Sequence, residues 1–577
     1  MAQELIEVPS PMKNLFTGSL VSNSYIRLDE NKVSCIYCSQ EYSTNTSSTI
    51  LKKHLIKKHE EEIKKEVFES ETKVSNETFN SLLINWIIDD LQPFSVVERR
   101  SFKNLIHGIC KDIVVPCRQT ITKMMREEFE KQKGQQIVKL STLKCKISLT
   151  ADIWTSDSDD PYIGIIAHFI NSDWKLQTRL LSISKFEHPH TGDAIADKLI
   201  AITNEFMITN KIISITTDNA SNMVSGCEKF TNYMYDTYGL KPKHFRCAAH
   251  VINLVIQKGK FKSNQTLEKV RNLVKCISNS SKMIQDLRIY QNDRPKPLEV
   301  VLDCPTRWNS TYNMLERILE LKNSILILSI YNNDILSFLP TMEEWEEIVS
   351  LCRFLQPFNA ATKLLTKTNT CSVGSTLIMF QALQIHLEDN KLIISNAEKM
   401  LKVLNDYISL YDLNMKISVF LDPQNRNQYF DQITDEFLYE LNIVYHSYNL
   451  LLGNQSYDEN DNNNNNNNNQ TDMEYLTSIV NKRRRRREQT ITEIDRYLLL
   501  PAPRIEIDVM QWWKNHANEF PVLSTIAIDM LSFQPTSVSC ERLFSISGFT
   551  TKGSRNRLDP STLDELLCLK NWKDEEI

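Results

Sequence analysis

Apolar and polar positions alternate along three consecutive segments, and this alternation predicts β-strands. The segments are CKISLTADIWTS, YIGIIAHFIN and LQTRLLSIS, and the first of them contains Asp152. TGDAIADKLIAITNEF instead has the apolar spacing of a helix, with Thr191 as its N-cap. KIISITTDNASNM predicts a buried strand that leads into Asp218. The predicted order is therefore three strands, a helix and a fourth strand.

Helical periodicity marks the regions on either side of these strands. Before them, FNSLLINWIIDD, VVERRSFKNLIHGI and RQTITKMMREEFEKQ predict a small helical domain. After them, EEWEEIVSLCRFLQPFNAATKLL and STLIMFQALQIHLE predict a long helical region. The order of strands and helix resembles that of a ribonuclease-H-like sheet, so we expect an α+β multidomain protein.

Composition narrows the class of protein without identifying a partner. The 577 residues are 41% hydrophobic and 24% charged, which is typical of several soluble globular domains. The net charge of −5 means that any basic surface must be local. The opening MAQELIEVPS argues against a signal peptide, and no apolar run is long enough to span a bilayer, so we expect no membrane partner. Most of the 13 cysteines are scattered, as in reduced intracellular proteins.

One cysteine pair is an exception and predicts a zinc site. Cys35 and Cys38 can bind one metal from a tight turn, and His54 and His59 can complete a tetrahedral site from a helix. Tyr37 would help to pack so small a fold, as would Tyr42. We place Ile50, Leu51, Leu55 and Ile56 on the inner side of that helix. A chance cluster of these residues is the alternative interpretation.

Four lysines on the same helix supply positive charge suited to DNA phosphates: Lys52, Lys53, Lys57 and Lys58. A finger with a purely structural or protein-binding role stays open.

Asp152 and Asp218 follow or end predicted strands, where carboxylates can share divalent metal ions. Such acids are hard oxygen ligands that suit Mg²⁺ or Mn²⁺. An aspartate after a strand is also commonly a turn former or a helix cap, so spacing alone does not decide between these roles.

Several longer motifs occur in an order that resembles the hAT transposase superfamily, in its RICESLEEPER and Activator branch. They are LTADIWTS, ITTDNASNM, FRCAAHVINLVIQKG, LDCPTRWNSTYNMLERI, SVSCERLFSISG and RNRLDPSTLDELLCLKNW. The finger resembles the BED type of that superfamily. The resemblance implies a ribonuclease-H-like catalytic core that is interrupted by a large all-helical insertion, with a C-terminal dimerisation region.

The resemblance implies three catalytic metal-binding acids, which fall on Asp152, Asp218 and Glu541. It also places a Cys-x-x-His motif on Cys247 and His250, with the histidine close to DNA. A buried thiol beside a core-facing histidine is the alternative interpretation.

The resemblance also implies that Arg307 and Trp308 contact DNA. The indole could stack on an extruded base while the guanidinium holds a phosphate. An indole packed in the core at the start of a helix is the alternative.

Asn462–Asn469 is an uninterrupted asparagine tract, which predicts a disordered loop near residues 455–488. A basic run follows immediately, and its members are Lys482, Arg483, Arg484, Arg485, Arg486 and Arg487. It fits a nuclear localisation signal, a phosphate contact or a solvated segment, and we expect a nuclear protein.

The predicted domains follow from these motifs. They are a finger at 1–65, a helical DNA-binding or dimerisation domain at 66–140, the first part of the core at 141–247, the helical insertion at 248–525, completion of the core at 526–577, and a dimerisation region over about 490–573.

The resemblance implies a transposase that binds double-stranded DNA as at least a homodimer, with Zn²⁺ in the finger and Mg²⁺ or Mn²⁺ in the core. Its cleavage would form hairpins on the flanking DNA. The alternative function is a domesticated, non-cutting transcriptional regulator, and a stand-alone nuclease is a weaker third possibility. The intact acids favour the transposase.

Overall fold

The structure is a computed structural model of the 577-residue chain. It describes residues 24–63, 74–155, 160–186, 189–259, 264–291, 294–304, 308–366, 373–391, 396–410, 413–426, 434–453, 492–501, 503, 507–551 and 559–573. The chain divides into two compact units at residues 125 and 126, and each is described separately below.

The first unit begins with a small antiparallel sheet and a helix. The strands are β1 (Tyr25–Arg27), β2 (Lys32–Cys35) and β3 (Glu41–Ser43), in the order β1-β2-β3. Helix α1 (Ser48–Lys58) places Leu55 fully inside and Leu51 partly inside. The prediction for Ile50 and Ile56 was wrong, because they are 52% and 40% exposed. Leu51 and Leu55 are four positions apart, and one helical face this narrow leaves their neighbours outside.

Three further helices confirm the predicted helical segment. They are α2 (Asn76–Asp89), α3 (Arg100–Ile109) and α4 (Arg118–Ser141), and α4 continues into the second unit. The hydroxyl of Ser75 caps α2 by accepting the backbone N–H of Thr78.

The second unit contains a five-stranded sheet in the order β6-β5-β4-β7-β8. The strands are β4 (Ile147–Thr155), β5 (Pro161–Ile170), β6 (Leu176–Lys185), β7 (Ile212–Thr217) and β8 (Lys243–Arg246). β4 pairs antiparallel with β5 and parallel with β7, and β7 pairs parallel with β8. The four predicted strands are confirmed. The sequence analysis missed β8, because its four residues, KHFR, are too short to show a period.

Helix α5 (Gly192–Glu205) connects β6 towards β7, and α6 (Ser221–Tyr238) connects β7 to β8. The predicted cap is confirmed, since the hydroxyl of Thr191 accepts the N–H of Ala194. In α6, Gly239 ends the helix in the left-handed region at φ 67°, which glycine adopts without strain.

Helices predominate in the described residues between β8 and the C-terminal part. They are α7 (Ala248–Lys258), α8 (Asn264–Ser278), α9 (Ser281–Ile289), α10 (Trp308–Glu320), α11 (Lys322–Tyr331), α12 (Met342–Thr366), α13 (Val373–Asp389), α14 (Ala397–Ile408), α15 (Leu413–Phe420) and α16 (Asp435–Leu451). Helices α7 to α14 share one apolar core. A second apolar core joins residues of α15, α16 and the later helices to Ile170, Trp174 and Phe245 of the sheet region.

Five C-terminal helices complete the fold: α17 (Glu493–Leu499), α18 (Val509–His516), α19 (Pro521–Met530), α20 (Val538–Thr551) and α21 (Pro560–Lys573). Helix α20 packs on β4 and β5, and α21 packs on β6. The indole N–H of Trp572 donates to the Leu180 carbonyl at 2.8 Å, and the Asp564 carboxylate accepts the Ile183 N–H at 2.7 Å. Helix α21 thus covers backbone groups of an edge strand that would otherwise be open.

The protein is therefore a multidomain α+β protein that is mostly helical, as predicted. None of the helices in the described ranges has the length and apolar content needed to cross a membrane.

Candidate functional site

Strand register brings the two predicted aspartates to one edge of the sheet. β4 and β7 are parallel, with Ser148 opposite Ser214 and Thr150 opposite Thr216. Continuing this register by two residues places Asp152 opposite Asp218. Because side chains alternate along a strand, Asp152 lies on the face that carries Thr150, and Asp218 follows directly after the last residue of β7.

A row of polar contacts joins residues 529–539 to β4 and to the residue directly before it. We call it the polar seam, and it pairs Asp529 with Lys146, Ser532 with Ser148, Ser539 with Thr150 and Ser537 with Asp152. The donor–acceptor distances are 2.8, 2.9, 3.1 and 3.3 Å in that order. In addition, the Thr216 hydroxyl donates to the Gln534 carbonyl at 2.6 Å, which attaches β7 to the same segment.

Glu541 follows the last residue of the polar seam, Ser539, by two positions. Glu541 lies in the first turn of α20, and its backbone N–H donates to the Ser537 carbonyl at 3.2 Å. Gly164 faces Asp152 on β5, and a Cβ at that glycine would lie 3.0 Å from the Phe544 ring. The lack of a side chain at Gly164 therefore allows α20 to approach the strand.

Asp152 lies close enough to the other two acids for their charges to act on it. The pKa of Asp152 is raised to about 7, first by burial, then by the charge of Asp218 and, to a smaller extent, by that of Glu541. Hydrogen bonds from the Ile153 N–H and the Ser537 hydroxyl act in the opposite direction. Clustered like charges of this kind favour the protonated form, and a bound cation would relieve them.

Cys247 and His250 lie beside the same site. Cys247 is buried, and the charge of Glu541 contributes to raising the pKa of its thiol, although burial contributes most. The thiol accepts the Ser537 N–H at 3.4 Å, while His250 is partly exposed one turn further along α7. The thiol fits the buried alternative, and the DNA contact of His250 stays a prediction.

The sequence analysis did not single out several polar residues that surround the candidate site: Thr150, His168, Ser532, Ser537 and Ser539. Their signal was present, because Ser148, Thr150 and Asp152 place a polar side chain at every second position of an otherwise apolar strand. A buried polar row of this kind requires polar partners.

The predicted zinc ligands converge in the finger. One ligand atom from each of Cys35, Cys38, His54 and His59 lies within 4.8 Å of the others. Neither ring nitrogen of the buried His59 has a hydrogen-bond partner among the described residues, which fits metal binding. The three acids do not form so tight a group.

Tyr37 and Tyr42 help to pack the finger, as predicted, and both contact its histidines. Tyr37 stacks on His59 at 5.2 Å between centroids, and Tyr42 contacts His54 edge to face at 5.4 Å. On the outer side of α1, Lys53, Lys57 and Lys58 are exposed, whereas Lys52 is partly buried.

The remaining predicted residues differ in their outcome. Trp308 begins α10 and is only 8% exposed within the helical core, so stacking on a base would require the indole to swing out. Arg307, the asparagine tract and the basic run 482–487 lie outside the described residues.

Four family models match the chain in sequence order. They are the BED zinc finger at residues 18–60, the ZBED1 RNase-like domain at 150–242, the ZBED1 RNase-like helical domain at 245–354 and the hAT family C-terminal dimerisation region at 493–573. Cys35, Cys38, His54 and His59 all fall in the first match, and Glu541 falls in the last.

Named relatives extend over most of the chain. An AC transposase of Zea mays is 25% identical over 83% of this chain and 63% of its own length. The BED protein RICESLEEPER 2 of Oryza sativa subsp. japonica is 25% identical over 85% of this chain and 74% of its own length. The transcriptional regulator tpeD of Talaromyces stipitatus is 26% identical over 84% of this chain and 60% of its own length. The chain thus spans less than two thirds of the maize and fungal relatives.

Proposed function

Because the chain is a member of the hAT superfamily, with a BED zinc finger ahead of its RNase-like domains, we propose that it is a DNA transposase. The observation that carries this proposal is the neighbourhood of Asp152, Asp218 and Glu541, each of which comes from a different element. A protein that only bound DNA would have no need for three repelling acids at one sheet edge.

The donor set suits divalent cations. Asp152, Asp218 and Glu541 offer hard carboxylate oxygens, and their mutual repulsion is the electrostatic cost that Mg²⁺ or Mn²⁺ would offset. Two such ions supply activation of an attacking oxygen and stabilisation of a leaving oxygen in phosphoryl transfer. The polar seam holds the Asp152 carboxylate through Ser537 before a cation binds, so little reorganisation of that acid is needed.

DNA would contact surfaces outside the acid cluster. The lysines of α1 suit the phosphates of the element ends, and His250 lies one turn from the buried Cys247 at the edge of the acid cluster. Arg307 and Trp308 would stabilise the distorted DNA of the flanking hairpins. The released 3′ hydroxyl would then attack target DNA, which completes a cut-and-paste cycle.

Two further features of the proposal concern the whole protein. The matched dimerisation region supports assembly of at least two copies, since two element ends must be held together for paired cleavage. We place the protein in the nucleus, where the basic run 482–487 would serve as an import signal.

Substitution of the acids tests the catalytic part. Asp152→Asn, Asp218→Asn and Glu541→Gln should each lower plasmid excision with Mg²⁺ or Mn²⁺ by about 10³-fold or more, because each removes a ligand charge. Binding to element-end DNA, measured by mobility shift, should stay within a few-fold of the unaltered protein. Undiminished excision by any of the three variants would refute the assignment of that acid.

A second candidate function is transcriptional regulation without cleavage, which the name of the fungal relative favours. The two functions separate in the same assay, because a regulator would bind DNA specifically and leave the plasmid intact. Inverted repeats in the DNA that flanks the coding region would support the transposase.

A further inference from the structure

Ser537 contacts three separate parts of the candidate site. It is 1% exposed and immediately precedes α20. Its hydroxyl donates to Asp152 Oδ2 at 3.3 Å, and its backbone N–H donates to the Cys247 thiol at 3.4 Å. Its carbonyl accepts the backbone N–H of Cys540 at 2.9 Å and of Glu541 at 3.2 Å. One residue thus connects the strand of the first acid to the helix of the third.

The same connection extends to the second acid. Cys247 accepts from Ser537 through its thiol, and its own backbone N–H donates to the Thr217 carbonyl at 2.7 Å. Thr217 ends β7 directly before Asp218. The buried thiol therefore acts as a hydrogen-bond acceptor between the two segments, which gives the first residue of the Cys-x-x-His motif a positioning role.

We propose that Ser537 is a positioning residue that fixes Asp152, Asp218 and Glu541 in the arrangement that binds a divalent cation. This inference rests on the proposed function.

Both oxygens of Asp152 are held in this arrangement. Oδ1 accepts the Ile153 N–H at 2.9 Å, and Oδ2 accepts the Ser537 hydroxyl. Loss of the hydroxyl would free Oδ2 to rotate, and loss of such an outer partner commonly weakens metal binding by about 10-fold to 100-fold.

Mn²⁺ binding to the purified full-length chain, measured by electron paramagnetic resonance of the free ion, tests the inference. Ser537→Ala should bind Mn²⁺ about 10-fold to 100-fold more weakly, whereas Ser537→Thr, which retains the hydroxyl, should stay within a few-fold of the unaltered protein. Ser329→Ala is the matched control, because Ser329 is also buried, but its hydroxyl donates to the Leu326 carbonyl within α11 and takes no part in the polar seam. Asp152→Asn is the reference for loss of a ligand.

Raising the Mn²⁺ concentration should restore excision by Ser537→Ala, and it should not restore excision by Asp152→Asn. Equal Mn²⁺ binding by Ser537→Ala and Ser329→Ala would overturn the inference, since loss of the Ser537 hydroxyl would then have no effect specific to the site. Unchanged Mn²⁺ binding by Asp152→Asn would instead overturn the proposed function on which the inference rests.

Discussion

At the scale of single residues, burial shifts the pKa values of His168 and Asp152 in opposite directions. In both cases the shift favours the neutral form of the side chain. It lowers the pKa of His168 to about 3 and is the main cause that raises the pKa of Asp152 to about 7. The surroundings of the two side chains differ, however, because Asp152 faces other acids and His168 does not. His168 has both nitrogens within reach of hydroxyls, Thr150 at 2.9 Å and Thr178 at 3.3 Å, so its neutral form is well satisfied.

The lowered pKa of His168 predicts that the folded protein loses stability in acid. The unfolded chain binds a proton at this histidine below about pH 6.5, while the folded chain does not, so stability is lost as the pH falls from 6.5. The loss should reach about 2 kcal/mol by pH 5, at 1.36 kcal/mol for each pH unit. Urea unfolding at several pH values measures this slope, and His168→Gln should make it shallower by about one proton. An unchanged slope in that variant would contradict the assigned pKa.

Much of the site could be predicted from the sequence, but its geometry could not. The spacing of Cys35, Cys38 and the two histidines is local, so the finger could be derived from chemistry alone. Glu541 is distant in sequence from Asp152, and no local pattern states which strand it reaches. Its place came from motif order, and the partners of the polar seam came only from the structure. Trp308 shows the same limit, since an apolar ring beside an arginine does not reveal whether it faces the core.

At the scale of elements, the contact between α20 and β5 decides how closely Glu541 approaches the sheet. The Phe544 ring lies over Gly164 and also stacks on Trp154, with ring centroids 5.7 Å apart. Phe544 thus anchors α20 on both Gly164 and the Trp154 ring. We therefore expect a larger side chain at position 164 to displace the helix.

Gly164→Ala should consequently reduce cation binding more than it reduces stability. The added Cβ would lie 3.0 Å from Phe544, so the ring must shift by a few tenths of an ångström. Overpacking of this kind costs about 1 kcal/mol or more, and α20 would move with the ring. Gly134→Ala in α4 is the control, because nothing lies within 4 Å of its Cβ. Thermal unfolding and Mn²⁺ titration of both variants test this, and an unaltered Mn²⁺ affinity in Gly164→Ala would show that α20 adapts.

At the scale of the whole molecule, the parts to which we assign recognition and cleavage differ in how they are stabilised. The finger buries only a small apolar cluster of Cys35, Leu55 and Ile63, so it depends on its metal. The second unit has two extensive apolar cores and depends on packing. Loss of zinc should thus affect one function and spare the other.

Zinc removal gives the corresponding prediction. Cys35→Ser, or a chelator, should unfold the finger and reduce affinity for element-end DNA to the nonspecific level, roughly 10³-fold weaker or more. Fluorescence anisotropy measures the affinity, and circular dichroism should report little change in the helices of the second unit. Retained end recognition after zinc removal would assign recognition to another part of the chain.

The polar seam also has a consequence for the order of events during synthesis. Ser148 and Thr150 leave the ribosome long before their partners Ser532 and Ser539 exist, since 384 and 389 positions separate the pairs. At the usual rate of translation, this delay is on the order of 20 to 80 seconds. A nascent or truncated chain can fold its finger, but it cannot assemble the acids. Under the proposed function, the finger could therefore bind DNA before the acids have come together.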